Sequence, residues 1–371
     1  MKAKVVVLIC ALTCFFSIGL GAAAGFVAAS QLQSDVPTSA VVQAPQSTTP
    51  EETQAQQQTV PQYIPSGQTA VDVAQLCTKS VVNITIMEEQ KSYTGGSTVS
   101  ETVLGHGTGV IIREDGYIVT CHHVVDGADK IVVTMDDSTE LEATLVGQDE
   151  RFDLAVIRVD KTGLPAAAVG DSDAMVSGEG VVIIGNPLGE FGSSVSTGVL
   201  SAPTRELTIE GTPLRLMQTD AAVNPGNSGG GMFNMKGELV GIVNAKIAAS
   251  GIEGIGFAIP MSTINSKVES LISSGTSGEK AVLGVGTRTA TCSVDGKVVE
   301  CVEVTSLRSG GAAETAGVKE GDYILSVDGK AVKSNDDLTL VIKYHAPGDE
   351  VELEICRSGK TMKIKVVLAA G

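Results

Sequence analysis

The stretch that decides the fold is Asn224-Pro225-Gly226-Asn227-Ser228-Gly229-Gly230. Glycines on both sides of a serine allow a tight backbone turn, and they leave room for the carbonyl group of a second molecule to come close. Such a turn can aim the amides of Gly226 and Ser228, with Asn227 between them, at one point, which is how an oxyanion hole is built. Taken alone, the stretch is explained equally well by a plain glycine-rich β-turn.

A serine nucleophile needs a base, and the base needs a group that orients it. The chain offers His122 and His123 at the end of the apolar segment that begins at Tyr117. Further along, Asp153 directly precedes the apolar run Leu154–Ile157. A carboxylate in that position is held rigid and partly desolvated. The order along the chain is therefore histidine, aspartate, serine.

Three segments together resemble the catalytic segments of the HtrA/Deg family (DegP/DegS-like) of trypsin-like serine proteases. They are Thr120-Cys121-His122-His123-Val124-Val125, Asp153-Leu154-Ala155-Val156 and Gly226-Asn227-Ser228-Gly229-Gly230. The resemblance implies that His123 is the base, Asp153 the orienter and Ser228 the nucleophile, and that Gly226, Asn227 and Ser228 form the oxyanion hole. His123 is preferred over His122 because the family places two residues between the threonine and the histidine.

The sequence departs from the family pattern at two places. Cys121-His122 replaces a pair of small or amide residues, and Gly231 stands where the family more often has proline or alanine. Neither departure removes a catalytic group. A Cys-His-His run at a strand end is poor ligand geometry, so we expect no metal, and the predicted chemistry needs no cofactor.

The resemblance covers about residues 70 to 369 and implies a mostly β fold. A trypsin-like protease domain is expected at 70–275, built as a double six-stranded β-barrel with the catalytic residues in the cleft between the barrels. The many short apolar segments bounded by turns agree with that architecture. We also expect a short helix at Ala70–Lys79, a polar loop at Glu88–Glu101, a helix at Met261–Ser274 with Ser262 as its N-cap, and a flexible hinge at Ser273–Gly278.

By analogy, the first specificity pocket draws on Val223 and on the stretch Asn244, Ala245 and Lys246. Val223 favours a small aliphatic residue before the scissile bond, although Lys246 replaces an apolar residue of many relatives. Asp220 is open to two interpretations: a charged specificity residue, or a structural carboxylate bonded to nearby amides, which we favour.

A second pattern begins after residue 280. Leu283-Gly284-Val285-Gly286 and the run from Gly310 to Gly329 resemble a bacterial-type PDZ domain (α+β), expected at 280–370. The resemblance implies that a peptide C-terminus adds to an open strand edge and that the amides of Leu283, Gly284, Val285 and Gly286 hold its carboxylate. The helix around Asp337–Tyr344 would line the groove. A role only as spacer or assembly surface remains the alternative.

The amino-terminal region predicts a membrane anchor followed by a tether. Residues 5–29 carry no charge, and at ~1.5 Å per residue they can cross a ~30 Å hydrocarbon core. After Lys4 the next basic residue is Lys79, which places the amino terminus in the cytoplasm and the rest outside. We therefore predict a single-pass cell-membrane protein (1–29, with a cleavable signal peptide as the alternative) and a disordered Gln/Ser/Thr/Pro-rich linker at 30–69.

Composition excludes some partners. The formal net charge of the 371-residue chain is −17, which argues against nucleic acid as a partner. There are seven cysteines; two lie in the amino-terminal apolar run and five follow it, so no complete disulfide framework is implied. Cys292 and Cys301 flank a hairpin signal, and they face each other only if the hairpin register allows it.

The sequence therefore predicts an extracytoplasmic serine endopeptidase. The family implies unfolded or misfolded proteins as substrates, peptide C-termini as PDZ ligands, and a homotrimer or larger assembly. Two alternatives stay open: a chaperone or peptide-binding quality-control protein that retains protease residues, and a signalling protease that cuts one membrane-protein partner.

Overall fold

A computed structural model describes residues 69–92, 98–186, 193–247, 254–294 and 296–371. The predicted anchor (1–29) and nearly all of the predicted linker (30–69) lie outside these ranges. Among the described helices, none has both the length and the apolar composition needed to span a membrane.

The first six strands close into a barrel in the order β1-β2-β3-β6-β5-β4. Its strands are β1 (Val81–Ser92), β2 (Thr98–Ile111), β3 (Tyr117–Thr120), β4 (Lys130–Thr134), β5 (Glu140–Asp149) and β6 (Leu154–Val159). In β4 buried and half-buried residues alternate, as expected for a strand with one face on a core. Branched aliphatic residues such as Ile84, Ile118 and Ile157 fill the interior, because the chain has no tryptophan and few other aromatic residues.

The next six strands close into a second barrel in the order β10-β11-β12-β9-β8-β7. They are β7 (Gly180–Gly185), β8 (Ser194–Ile209), β9 (Thr212–Thr219), β10 (Gly231–Asn234), β11 (Leu239–Val243) and β12 (Gly256–Pro260). Two closed six-stranded barrels confirm the predicted protease fold.

One predicted loop is wrong. The segment Glu88–Glu101 was expected to be polar loop, but β1 and β2 continue through most of it, pairing Glu88 with Thr102 and Ser92 with Thr98. The polar composition is compatible with a hairpin because antiparallel strands that extend beyond a barrel can face water on both sides.

The helices of the first two barrels are few. Helix α1 (Ala70–Cys77) begins with a capping box in which Thr69 and Asp72 bond each other's backbone amides. Helix α2 (His122–Val125) is a single turn after β3. Helix α3 (Met261–Ser274) has the predicted range, but Ser262 is not its N-cap. Pro260 occupies that position, and the Ser262 hydroxyl donates to Asp173 at 2.7 Å instead.

The carboxyl-terminal region forms the predicted α+β domain. Its main sheet has the order β14-β15-β16-β18-β19, with β17 paired to β16, and a two-stranded sheet joins β13 to β20. The strands are β13 (Ala281–Val282), β14 (Val285–Val294), β15 (Lys297–Leu307), β16 (Tyr323–Val327), β17 (Lys330–Ala331), β18 (Glu350–Arg357), β19 (Lys360–Val367) and β20 (Ala369–Ala370). Helices α4 (Ala312–Ala316) and α5 (Asn335–Lys343) pack against it.

Cys292 and Cys301 lie near each other without being paired. Cys292 is opposite Val299 and Cys301 is opposite Ala290, so the two are diagonal neighbours in the hairpin. Both are free and buried, together with Cys356. Burial, followed by the neighbouring thiols, raises the pKa of Cys292 to about 12, which keeps this thiol protonated.

Candidate active site

His123 and Asp153 form the first part of the site. A hydrogen bond of 2.7 Å joins His123 Nδ1 to Asp153 Oδ2, and the His123 amide donates to Oδ1 at 3.0 Å. Asp153 has a left-handed backbone (φ 50°) and is 8% exposed. Burial alone would raise the pKa of this carboxyl, but the hydrogen bonds and charge of His123 outweigh burial and lower it. Asp153 is therefore an ionised, fixed acceptor for the imidazole.

Asn244 gives Asp153 a further donor that sequence reasoning missed. Its side-chain amide donates to Asp153 Oδ2 at 2.8 Å, and Asn244 is 1% exposed. The sequence predicted Asn244 as a residue of the specificity pocket; in the structure its side chain is bonded to Asp153. A buried asparagine side chain needs hydrogen-bond acceptors inside the protein, but the sequence does not show which residue provides them.

Ser228 lies beside the histidine–aspartate pair in a buried loop. Its hydroxyl oxygen accepts a hydrogen bond from the Ala245 amide at 3.2 Å. No hydrogen bond joins Ser228 Oγ to His123 in the described part of the chain. Asn244 bonds Asp153 and the adjacent Ala245 bonds Ser228, so the three predicted catalytic residues lie in one region, with the Ser228 hydroxyl bonded to the turn that follows β11.

The loop around Ser228 leaves two amides free. The amides of Gly226 and Ser228 donate to no acceptor among the described residues. The Asn227 amide is already bonded to Asn224 O at 3.0 Å, so of the three predicted oxyanion residues only two can offer a donor. Two free amides flanking a nucleophile suit the binding of a developing oxyanion.

Thr108, on β2 of the first barrel, holds this loop of the second barrel in place. Its amide donates to Ser228 O at 2.9 Å and its hydroxyl donates to Gly226 O at 2.7 Å. The same hydroxyl accepts the Asn186 amide at 2.9 Å. Sequence reasoning missed this residue, although a threonine between Gly107 and Gly109 was a signal that could have found it.

Gly229 explains why the motif needs glycine. Its backbone is left-handed (φ 84°), and a Cβ there would lie 2.0 Å from Thr108 O. A side chain at this position would therefore push the serine loop away from the first barrel.

The predicted specificity pocket is only partly assembled from the predicted residues. Val223 packs closely on Gly256, where a Cβ would lie 2.6 Å from Val223 Cγ2. Ala245 is buried. The Lys246 ammonium pairs with Glu210 at 2.5 Å. Residues 248–253 lie outside the described ranges.

Asp220 has the structural arrangement that we favoured. Its Oδ1 accepts the amide of Val199 at 2.6 Å. This hydrogen bond ties the Asp220 carboxylate to the neighbouring strand β8.

A cavity beside His123 and Asp153 has a volume of about 250 Å³. It is polar, and its lining includes His122, His123, Asp153, Glu210 and Lys246. Cys121, His123 and Asp153 bring possible metal-ligand atoms within 4.8 Å of one another. Each is already engaged, since Cys121 Sγ donates to Val243 O at 3.3 Å, so hydrogen bonding explains the cluster.

A larger cavity of about 800 Å³ lies at the PDZ-like domain. Its apolar lining includes Leu283, Val285, Leu338 and Ile342, and Glu150, Arg151 and residues 211–213 of the barrel region close one side. The predicted loop Leu283–Gly286 and the helix α5 both line it. This lining is the combination of loop, strand and helix that sequence reasoning expected for a peptide groove.

The two regions meet at the end of α5. The Lys343 ammonium donates to Pro213 O at 2.7 Å, and the Arg215 amide donates to the Tyr344 hydroxyl at 2.9 Å. The Tyr344 ring packs edge-on against Phe152, one residue before Asp153. Burial, helped by Arg151 and Lys267, lowers the pKa of Lys343 to about 8. The predicted hinge is also fixed here, because Arg151 donates to Ser277 Oγ at 3.0 Å.

Comparisons with known proteins agree with this geometry. Residues 107–242 match the model of the trypsin-like peptidase domain, and residues 271–368 match that of the PDZ domain. The chain therefore combines a trypsin-like peptidase domain with a PDZ domain, as the sequence predicted.

The relatives narrow the class further. Proteins from Chlamydia trachomatis serovar D and Halomonas elongata, each named a probable periplasmic serine endoprotease DegP-like, are 41% and 39% identical over 71% and 74% of the chain. The chain spans 53% and 58% of their lengths.

Solved structures give the same result. The HtrA-type protease AlgW with a decapeptide superimposes with a TM-score of 0.66 at 28% identity, over 82% of this chain and 99% of its own. The serine endoprotease from Yersinia pestis gives 0.58 at 29% identity, over 82% and 98%. The chain is thus similar to DegP-like and HtrA-type serine proteases.

Proposed function

We propose that the chain is an HtrA-type serine endopeptidase with His123, Asp153 and Ser228 as its catalytic triad. The observation that carries the proposal is the 2.7 Å bond between His123 and the buried Asp153, beside Ser228 and two free amides. Each group has a counterpart in acyl transfer: a base held by a carboxylate, a nucleophile, and donors for the oxyanion.

The reaction follows from these positions. His123 takes the proton of Ser228 as the hydroxyl attacks a peptide carbonyl, and Asp153 stabilises the imidazolium that forms. The amides of Gly226 and Ser228 bind the oxyanion, each such donor contributing ~3 kcal/mol in related enzymes. His123 then protonates the leaving amine, and water releases the acyl group from Ser228.

The described arrangement is a resting one. Ser228 Oγ accepts from the Ala245 amide and makes no hydrogen bond to His123 among the described residues, so the serine side chain must move toward the imidazole before attack. Catalytic hydrogen bonds commonly tighten only when substrate is bound.

We propose unfolded or misfolded proteins outside the cytoplasmic membrane as the substrates. The names of the relatives, periplasmic serine endoproteases, support this location. The PDZ domain would bind peptide C-termini, since the amides of Leu283 and Gly284 donate to no backbone acceptor in the described part of the chain. The AlgW structure with a decapeptide supports a peptide ligand. Anchoring by residues 5–29 and assembly as a homotrimer or larger complete the proposal.

One observation favours a second candidate, a signalling protease that cuts a single membrane-protein partner. The groove is lined by Glu150 and Arg151, which lie within three residues of Asp153. A ligand in the groove could therefore regulate the triad, as a dedicated protease requires. A chaperone role has no comparable support, since all three triad residues are present.

The test is hydrolysis of casein by the full chain beside its Ser228→Ala variant. Cleavage by the first and none by the second supports the peptidase. If neither cleaves casein even with apolar C-terminal peptides added, the peptidase proposal is wrong. A search for cleaved surface proteins in cells then separates many substrates from one.

A further inference from the structure

The cavity at the PDZ domain has an unusual charge for this chain. Four cations line it, Arg151, Lys280, Arg308 and Lys343, against one carboxylate side chain, Glu150. The whole chain has a formal net charge of −17. A local excess of cations on an acidic protein is a feature of this groove and not of the composition.

Two of the four cations already have hydrogen-bonding partners inside the protein. Arg151 makes two bonds to the Asp149 carboxylate, at 2.6 and 2.9 Å. The Lys343 ammonium donates to Pro213 O. Neither residue can reach a ligand without breaking these contacts.

Among the described residues, the side chains of Lys280 and Arg308 have no such partner. Both side chains are exposed, and no ion pair or side-chain hydrogen bond from either is found among the described residues. Arg308 adjoins the carboxylate-binding loop, because its amide donates to Gly284 O at 2.8 Å. Lys280 precedes β13, the strand that leads into the same loop. Two unpaired cations, each on a long side chain, therefore line the cavity beside the loop that would receive the last residues of a peptide.

The geometry of the loop shows which end of a peptide it receives. Leu283 O and Gly284 O accept bonds from the Ala313 and Arg308 amides, at 2.9 and 2.8 Å. With its carbonyls turned into the domain, the loop offers amides to the groove, which suits an anion. The strand β14 that follows is the outer strand of its sheet, so its edge is open for pairing.

We infer that the groove selects peptide C-termini that combine an apolar last residue with acidic side chains at one or more of the three preceding positions. Lys280 and Arg308 are the residues that determine this preference. Leu283, Val285, Leu338 and Ile342 receive the apolar residue, and the free amides receive the carboxylate. The inference rests on the peptide-binding role proposed above and names the chemistry of the ligand.

The preference for acidic peptides has an expected size, and it should depend on the salt concentration. An exposed charge pair contributes little, so the acidic peptide should bind about three- to tenfold more tightly than its neutral counterpart. The two cations are exposed, and added salt should reduce the preference, because the Debye length is ~10 Å at 0.1 M ionic strength and shortens as the salt concentration rises.

The experiment measures fluorescence anisotropy of labelled octapeptides with the Ser228→Ala variant of the full chain in mild detergent. Three peptides share an apolar last residue and carry Glu, Gln or Lys at the three preceding positions. A fourth is the Gln peptide with a C-terminal amide. We expect the affinity order Glu, Gln, Lys, and no binding of the amide.

Variants assign the preference to its residues. Lys280→Gln with Arg308→Gln should bring the Glu and Gln peptides to equal affinity. The matched control is Lys319→Gln with Lys360→Gln, which removes two exposed PDZ-domain cations that do not line the cavity and should keep the preference.

Two results overturn the inference alone: equal binding of the Glu and Gln peptides by the parent chain, or a preference that survives in the Lys280/Arg308 variant. If no peptide binds, or if the amide binds as well as the acid, the peptide-binding role itself is wrong and the inference falls with it. Casein hydrolysis by the parent chain, and its loss in the Ser228→Ala variant, tests the peptidase proposal separately from these binding measurements.

Discussion

The proposed catalytic cleft and the proposed peptide groove differ in how their side chains are bonded. In the cleft the amides of Gly226 and Ser228 are free, but the side chains beside them are fixed: Asp153 accepts from His123 and Asn244, and Thr108 uses its amide and hydroxyl. In the groove the loop amides and two cations are unpaired, and apolar side chains line the floor. The difference matches the two proposed roles. A catalytic site needs side chains held in fixed positions, whereas a peptide-binding site needs unpaired groups that a ligand can bond.

The largest expected effect tests position in the cleft. Asp153→Asn should lower kcat for casein or a peptide substrate by about 10⁴-fold, because the amide cannot hold the imidazole in the correct tautomer. Peptide affinity in the groove should not change. Asp126→Asn, an exposed aspartate that lines the same cavity, is the control and should keep most activity. Near-normal turnover in the Asp153 variant would remove Asp153 from the triad.

A glycine pair tests how tightly the serine loop is packed. Gly229 and Gly163 both have a left-handed backbone, but a Cβ at Gly163 meets nothing within 4 Å. Gly163→Ala should cost about 1 kcal/mol of stability, from backbone strain alone. Gly229→Ala must also displace Thr108 or the loop, so it should cost ~3 kcal/mol or more and abolish activity. Denaturant unfolding measures both; similar losses would show that the clash with Thr108 is relieved easily.

Lys343 tests the contact between the two regions. Its pKa is about 8 in the folded chain, against 10.5 for an ordinary lysine, so folding disfavours its charged form. The penalty is complete below pH 8 and is relieved as the pH rises toward 10.5, so this residue makes stability increase with pH by about 1 to 3 kcal/mol. Asp149, Arg151, Lys267 and the Phe152 ring face the ammonium and set this value.

Replacing Lys343 should therefore remove a pH dependence. Lys343→Met keeps the aliphatic stem and cannot titrate, so the rise in melting temperature between pH 8 and 10 should flatten relative to the parent chain. Lys360→Met, at the exposed first residue of β19, should leave the rise unchanged. A slope that persists in the Lys343 variant would assign it to another group.

The smallest expected effect concerns Asn244. Asn244→Ala removes one of the bonds to Asp153 and should lower kcat about tenfold with little change in KM, because the aspartate becomes less well fixed. Steady-state kinetics with a peptide substrate measures the split. An equal rise in KM would mean that Asn244 contacts substrate, as the sequence suggested, rather than supporting the triad.

The sequence predicted the parts that depend on local pattern. Alternating apolar residues and turn signals identified most strands, and the Gly-Asn-Ser-Gly-Gly run identified the serine loop, because glycine is required there by backbone geometry. It did not identify groups whose partners are distant in the chain. Asn244 reaches Asp153 across 91 residues, and Thr108 reaches Gly226 across 118.

The same reason explains the errors. Ser262 has the composition of an N-cap, but Ser172 and Asp173 lie beside it in the fold and take its hydroxyl and amide. The segment around Glu88 is polar enough for a loop, yet the matching segment before Thr102 pairs with it. Local composition allows both outcomes, and long-range contacts decide between them.

The contacts of Thr108 have a consequence for the synthesis of this protein. The residue belongs to the first barrel, which leaves the ribosome well before Ser228 and β12 have been made. The serine loop obtains its bonds to Thr108 only when both barrels have folded and met. A partly synthesised chain therefore lacks these bonds, and Ser228 reaches the position proposed for the nucleophile only when both barrels are complete.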